Sequence, residues 1–185
     1  MVVTVLFGSP HENGSTRALL DAFLSAFPPD CHTGLFSAYE MLPRPCVDCG
    51  GCRENGKRVF DDLDVFFDAV SRSDVLVIAS PLYHYSFPAP VKAFIDRTQR
   101  FFGLPERERK LPCALLMCGG APHANAATAE RELFHALSAM GAYLSKTVVA
   151  SGTDRSGVKE DCKKLAAIAA KSIIKELQGG KENEC

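Results

Sequence analysis

"VVTVLFGSPHENGSTRALL" (residues 2–20) decides the fold. A continuous run of apolar and β-branched residues, "VVTVLF" (2–7), leads into a turn of small polar residues and then into a helical pattern. Such a run suits a parallel strand covered on both faces, because a half-solvated strand would alternate. The same signature recurs in "VLVIAS" (75–80), "CALLMC" (113–118) and "KTVVAS" (146–151), while "HTGLFSAY" (32–39) is more polar and reads as a strand near an edge. Amphipathic segments separate these runs. Leu20, Phe23, Leu24 and Phe27 share one helical face, as do Leu63, Phe66, Phe67 and Val70. Leu133, Phe134, Leu137 and Met140 form a third face, and Leu165, Ala169, Ile173 and Leu177 a fourth. Helix starts are expected at Asp61 or Asp62, at Asn125 or Thr128, and at Ser156. Strands alternating with helices predict an α/β sandwich with right-handed crossovers. One domain over residues 1–178 is expected, followed by a frayed tail, "GGKENEC" (179–185), with Cys185 exposed.

Composition sets bounds on function. The chain has 185 residues, a net charge of −1 and 46% apolar residues, which predicts one sizeable core and gives no basic field for nucleic acid. The first apolar run is short for a secretion signal and lacks a basic flank, and no run reaches membrane-spanning length. The chain therefore reads as cytoplasmic, with no membrane and no nucleic-acid partner. Eight cysteines in such a chain read mostly as buried thiols; Cys46, Cys49 and Cys52 form the one cluster.

In open parallel sheets, ligands sit outside the carboxyl ends of the strands. Three turns therefore matter: residues 8–16, 80–89 and 119–125. In the first, small polar residues run into a helix start, where free N–H groups and the helix dipole attract an anion. Ser9, Asn13, Ser15 and Thr16 add side-chain donors, and Gly14 permits close approach. The turn has no Lys and no GxGxxG pattern, so it fits neither a Walker A loop nor a dinucleotide pyrophosphate. A single terminal phosphate fits; so does a capped connection whose hydroxyls only satisfy backbone. The second turn puts Pro81, Leu82, Tyr83, His84, Tyr85, Ser86 and Phe87 at the sheet edge. That concentration of rings suits a planar aromatic ligand, or a loop packed on itself or on a partner.

"GSPHENGST" together with "SPLYHYSFPAPVKAFIDR" resembles the flavodoxin-like NADPH-dependent FMN reductase family and its iron–sulfur flavoprotein relatives. The resemblance implies a flavodoxin-like three-layer sandwich with a five-stranded parallel sheet in the order 2-1-3-4-5, binding FMN. By position, Ser9, Asn13, Ser15 and Thr16 would hold the phosphate, with His11 standing where family members often carry Arg. Pro81, Leu82, Tyr83, His84, Tyr85 and Ser86 would line the ring, and Gly119 and Gly120 of "CGGA" would approach it. The implied activity is an NAD(P)H oxidoreductase, with NAD(P)H as a transient co-substrate and a small acceptor such as a flavin or quinone. A flavodoxin-type or iron–sulfur flavoprotein electron carrier is the alternative. No catalytic side chain is implied, since the flavin carries the chemistry. A homodimer or homotetramer is expected, because Phe94, Phe101, Phe102 and Leu104 exceed what one helix face buries.

Other residues read as structural. Asp96 and Arg97 lie well down the helix after the second turn, and an ion pair or backbone cap is expected there, as for Lys92. His84 and His123 stand near the expected mouth as candidate proton relays. Cys46, Cys49 and Cys52 have the C-x2-C-x2-C spacing of a cluster site, but Arg58 stands where the resemblance calls for a fourth cysteine. A compact loop without metal is expected. A cluster, zinc with a histidine, and a C-x-x-C redox pair remain alternatives.

Overall fold

A computed structural model describes residues 1–54, 59–101 and 110–182. Five parallel strands form one sheet in the order β2-β1-β3-β4-β5. They are β1 (Val2–Phe7), β2 (His32–Ser37), β3 (Val75–Pro81), β4 (Leu111–Gly119) and β5 (Ala142–Ser151). The expected order and the edge position of β2 are both observed. The helices are α1 (Ser15–Leu24), α2 (Ala38–Met41), α3 (Gly51–Glu54), α4 (Asp64–Ser71), α5 (Ala89–Arg97), α6 (Ala127–Ala139), α7 (Thr153–Ser156) and α8 (Glu160–Glu182). A 3-10 turn, Thr98–Phe101, continues α5. The arrangement is flavodoxin-like.

The central strands are buried on both faces and divide the core in two. On one face Val3, Val5, Phe7, Val75, Val77, Ala114 and Leu116 meet Leu19, Leu20 and Phe23 of α1 and the alanines of α8. On the other, Leu6, Leu76, Ile78, Leu115 and Met117 meet Phe66 and Phe67 of α4, Phe94 of α5 and Leu133 of α6. This two-sided burial explains why β3 and β4 read as unbroken apolar runs.

Several local expectations are corrected. Phe134 is 65% exposed, because the buried face of α6 runs through Ala129, Leu133, Ala136 and Leu137, one residue around the helix. On α8 the expected Ala169 and Ile173 are buried and Leu177 packs on the core, but Leu165 is 55% exposed; Ala166 and Ala170 complete the buried face, and the three alanines let the helix lie close against α1 and the sheet. The cap of α4 is Leu63, since Asp62 is engaged elsewhere, and α8 starts at Glu160 after Ser156 has closed α7. Asn125 still accepts a bond from Ala127 N (3.2 Å), although α6 begins after Ala126. The last helix runs through Gly179 to Glu182, so the segment expected to fray begins as helix. Cys185 lies outside the described residues, as do Arg58, Phe102 and Leu104.

Candidate functional site

The three turns meet at the carboxyl edge of the sheet because parallel strands deliver all their exits to one side. They are tied together by backbone bonds. Gly8 N donates to Ala79 O (2.7 Å), Leu82 N to Cys118 O (2.7 Å) and Gly152 N to Ala121 O (2.9 Å). Two glycines permit this closeness. A Cβ at Gly8 would lie 2.4 Å from Val91 Cγ2, and one at Gly119 would lie 2.4 Å from Ala124 Cβ.

In the first turn, Gly14 caps α1 and no side chain accepts from the helix start, so the first-turn amides lack a partner within the helix. Ser9 is buried and folds onto its own turn, its hydroxyl accepting from His11 N at 3.1 Å. Ser15 is half-buried at the helix start, while His11 and Asn13 are exposed. Thr16 is 3% exposed, and its hydroxyl bonds to the thiol of Cys118 on β4. Burial pushes that thiol up to about 12, and the Thr16 hydroxyl acts against the rise.

The second turn is sharply shaped. Tyr83 N donates to Ser86 O and Ser86 N to Tyr83 O, both at 3.0 Å, closing a two-residue hairpin. His84 (φ 51°) and Tyr85 (φ 62°) occupy the left-handed region, where non-glycine residues are strained. Outside groups hold this geometry. Ser86 donates to Glu132 of α6 (2.7 Å), and Tyr83 bonds Tyr39 of α2. Burial, and then the Tyr83 phenol, raise the Tyr39 hydroxyl above its ordinary value. Pro81 and Leu82 are half-buried, whereas the rings of Tyr83 and Tyr85 and the imidazole of His84 are exposed. Tyr39 and Glu132 carry no motif of their own, and only the folded contacts reveal them.

The third turn carries Gly119 and Gly120, with His123 exposed beyond them. Asp154 of α7 lies against Gly120, so a Cβ there would come within 2.0 Å of Asp154 Oδ2. Sequence reading missed this neighbour. The glycines flanking α7, Gly152 (φ 69°) and Gly157 (φ 62°), were the available signal for a tightly turned segment.

A family model described as NADPH-dependent FMN reductase matches residues 1–155. The chain belongs to the NADPH-dependent FMN reductase family. An iron–sulfur flavoprotein of Clostridioides difficile (strain 630) is 31% identical over 102 residues, which cover 52% of this chain and 45% of that protein. The chain spans about half the length of the curated relatives it matches. Among solved structures, an NAD(P)H:quinone oxidoreductase from Methanothermobacter marburgensis superposes with a TM-score of 0.69 at 19% identity, covering 92% of each chain. An FMN-dependent NADH-azoreductase from Bacillus anthracis str. Ames Ancestor, in complex with FMN, superposes at 0.66 with 14% identity, covering 94% of this chain and 99% of that one. These two likenesses are likenesses of fold.

The cysteine segment of this family member lies beside α5. Arg97, 8% exposed, bonds Asp62 (2.8 Å), Phe60 O (2.8 Å) and Arg44 O (3.1 Å), pinning the segment to the helix. Burial opposes the charge on Asp62, but the Arg44 N–H and the Arg97 guanidinium together hold its carboxyl below the ordinary value. Asp96 pairs instead with Lys92, one turn back, so both residues are structural, as expected. Under the segment is a cavity of about 490 Å3 lined by Cys46, Cys49, Cys52, Phe60, Arg97 and Arg100, among others. Four-cysteine clusters need a fourth thiolate, and a guanidinium has no lone pair to offer iron. Among the described residues, no three His, Cys, Asp or Glu side chains converge as a metal site would require. This donor set does not fit a four-cysteine cluster.

Proposed function

We propose that the chain is an FMN-dependent NAD(P)H oxidoreductase that passes electrons to a small acceptor such as a flavin or quinone. The observation that carries it is the meeting, at one sheet edge, of an uncapped helix start with a strained, externally braced aromatic turn. Family membership and the named chemistry of the similar proteins support the same reading. The donor set suits FMN. The amides at the start of α1, with Ser15 and Asn13, offer neutral donors for one phosphate, and the turn over residues 8–16 carries no lysine that a longer phosphate chain would need.

Bound there, FMN would supply two-electron chemistry, taking hydride from a nicotinamide and passing electrons on. The chain's own part is to bind, orient and exclude. The backbone of residues 82–86 would line the ring's edge; because Leu82, Tyr83 and Ser86 already donate to carbonyls, the N–H groups of His84 and Tyr85 are the ones that would meet developing negative charge. Gly119 and Gly120 let Ala124 and Asp154 pack against the third turn and so set its shape, Glu132 and Tyr39 hold the second turn in register, and Ser9 fixes the shape of the phosphate loop. His11 and His84 remain exposed beside the two loops, where either can meet the cofactor or the second substrate. The cytoplasm is the proposed compartment, in keeping with the free thiols on the surface; no described helix is long and apolar enough to cross a membrane.

The absorption spectrum of the purified protein, followed by steady-state NAD(P)H oxidation with quinone or free flavin, tests this reading. Flavin bands and turnover are expected. Flavin bands without nicotinamide oxidation would leave an electron carrier, and a colourless protein that fails to take up added FMN would end both.

A further inference from the structure

We propose that Cys49 and Cys52 form a redox dithiol that reduces small zwitterionic disulfides admitted to the cavity beside α5. Both thiols are free and line that cavity. Cys49 is exposed and suited to attack; Cys52 is half-buried on α3, and suited to resolve. Between them lie only Gly50 and Gly51. The chain bends at Gly50 (φ 75°), and Glu54 N bonds Gly50 O (3.1 Å), which fixes Cys52 on a closed turn next to Cys49. Cys46 and Cys49 share the irregular stretch 42–49, and Cys46 lies three residues further from the turn that holds Cys52. The cavity, at about 490 Å3, is of small-molecule size. Its wall is firm because Arg97 is held by three acceptors. Asp48, Asp96, Arg97 and Arg100 line it together; Asp96 pairs with Lys92, Arg97 with Asp62 and Arg100 with Asp64, so the lining is polar without a field of one sign, as a ligand carrying both ammonium and carboxylate groups would need.

The exchange is balanced. The Cys49 thiolate attacks one sulfur of the disulfide RSSR; the S–S bond breaks, one RS⁻ leaves, and a mixed disulfide forms on Cys49. Cys52, its proton lost to water, attacks Cys49 Sγ and expels the second RS⁻. The two electrons of the dithiol end on two RSH molecules, and Cys49 and Cys52 are joined. A thiol reductant restores the dithiol. No step involves the sheet edge, so the proposal stands apart from the flavin chemistry.

The test mixes the full chain, purified without oxygen and with no nicotinamide present, with oxidised glutathione. The reaction is quenched in acid, and the cysteines are mapped by mass spectrometry. A Cys49–Cys52 cross-link is expected, with release of two glutathione thiols per chain, at least about tenfold faster than reaction at half-buried Cys31. C52S should stop with one glutathionyl group on Cys49, C49S should lose the fast release, and C46S should keep it. Equal reactivity of Cys31 and Cys49, a cross-link that includes Cys46, release no faster than in a chain lacking Cys49 and Cys52, or stoichiometric iron and sulfide in the starting protein would each overturn the proposal.

Discussion

Ser15 and Thr16 are neighbours with the same hydroxyl chemistry and opposite settings. Ser15 is half-buried at an open helix start, whereas Thr16 is enclosed and bonded to Cys118. Ser15→Ala should therefore weaken FMN binding by about 1–3 kcal/mol, the worth of a bond to a charged acceptor. Thr16→Val should mainly lower the melting temperature. Titration of apoprotein with FMN and a thermal melt compare the two, and the reverse ranking would relocate the phosphate. Asp62 gives a pH signature. Its carboxyl lies below its ordinary 3.8 in the fold, so its contribution to stability is complete above that value and is lost as pH falls through the lower, folded one. Asp62→Asn should lower the melting temperature at neutral pH, and the gap from wild type should close below pH 3.8. A gap that persists in acid would show that the charge on Asp62 is not what Arg97 needs.

Among the elements, strands were legible and helix faces only partly so. β1, β3 and β4 declare themselves because two-sided burial leaves no polar interruption. Helix α8 was legible at Ala169, Ile173 and Leu177 but not at Leu165, because Ala166 and Ala170 take the closest positions while the larger Leu165 and Ile168 point outward. The polar first turn and the aromatic second turn were readable as composition, but the braces from Tyr39 and Glu132 were not, since a single polar residue on a distant helix carries no local pattern. The close seam between β1 and α5 is testable. Gly8→Ala would press its methyl on Val91, 2.4 Å away, and should cost about 1–3 kcal/mol. Val91→Ala added to it should cost less than the two changes summed. Strict additivity of the melting data would mean that the seam relaxes freely.

For the whole molecule, the expected self-association rests on Phe94, Phe101, Phe102 and Leu104, of which the last two lie outside the described residues. Phe94 is 2% exposed in the core and Phe101 packs against it, so these rings leave little for a partner. We propose a homodimer or homotetramer formed instead through α6 or α8, where Phe134, Leu165 and Ile168 are more than half exposed. Sedimentation at micromolar concentration should show an assembly that Phe134→Lys or Ile168→Lys weakens; a monomer would remove the proposal. The anchoring of residues 44–62 by one guanidinium has a consequence for how such a chain can diverge. The segment lies between α2 and α4, outside the hydrogen-bonded ladder, so it can be shortened without shifting any strand. Shortening alone would strand Arg97 as an uncompensated buried cation, at a cost of about 3–5 kcal/mol. Loop and anchor must therefore be inherited, or discarded, in one step: a trimmed chain carrying Arg97→Leu should melt higher than the same trimmed chain that keeps Arg97.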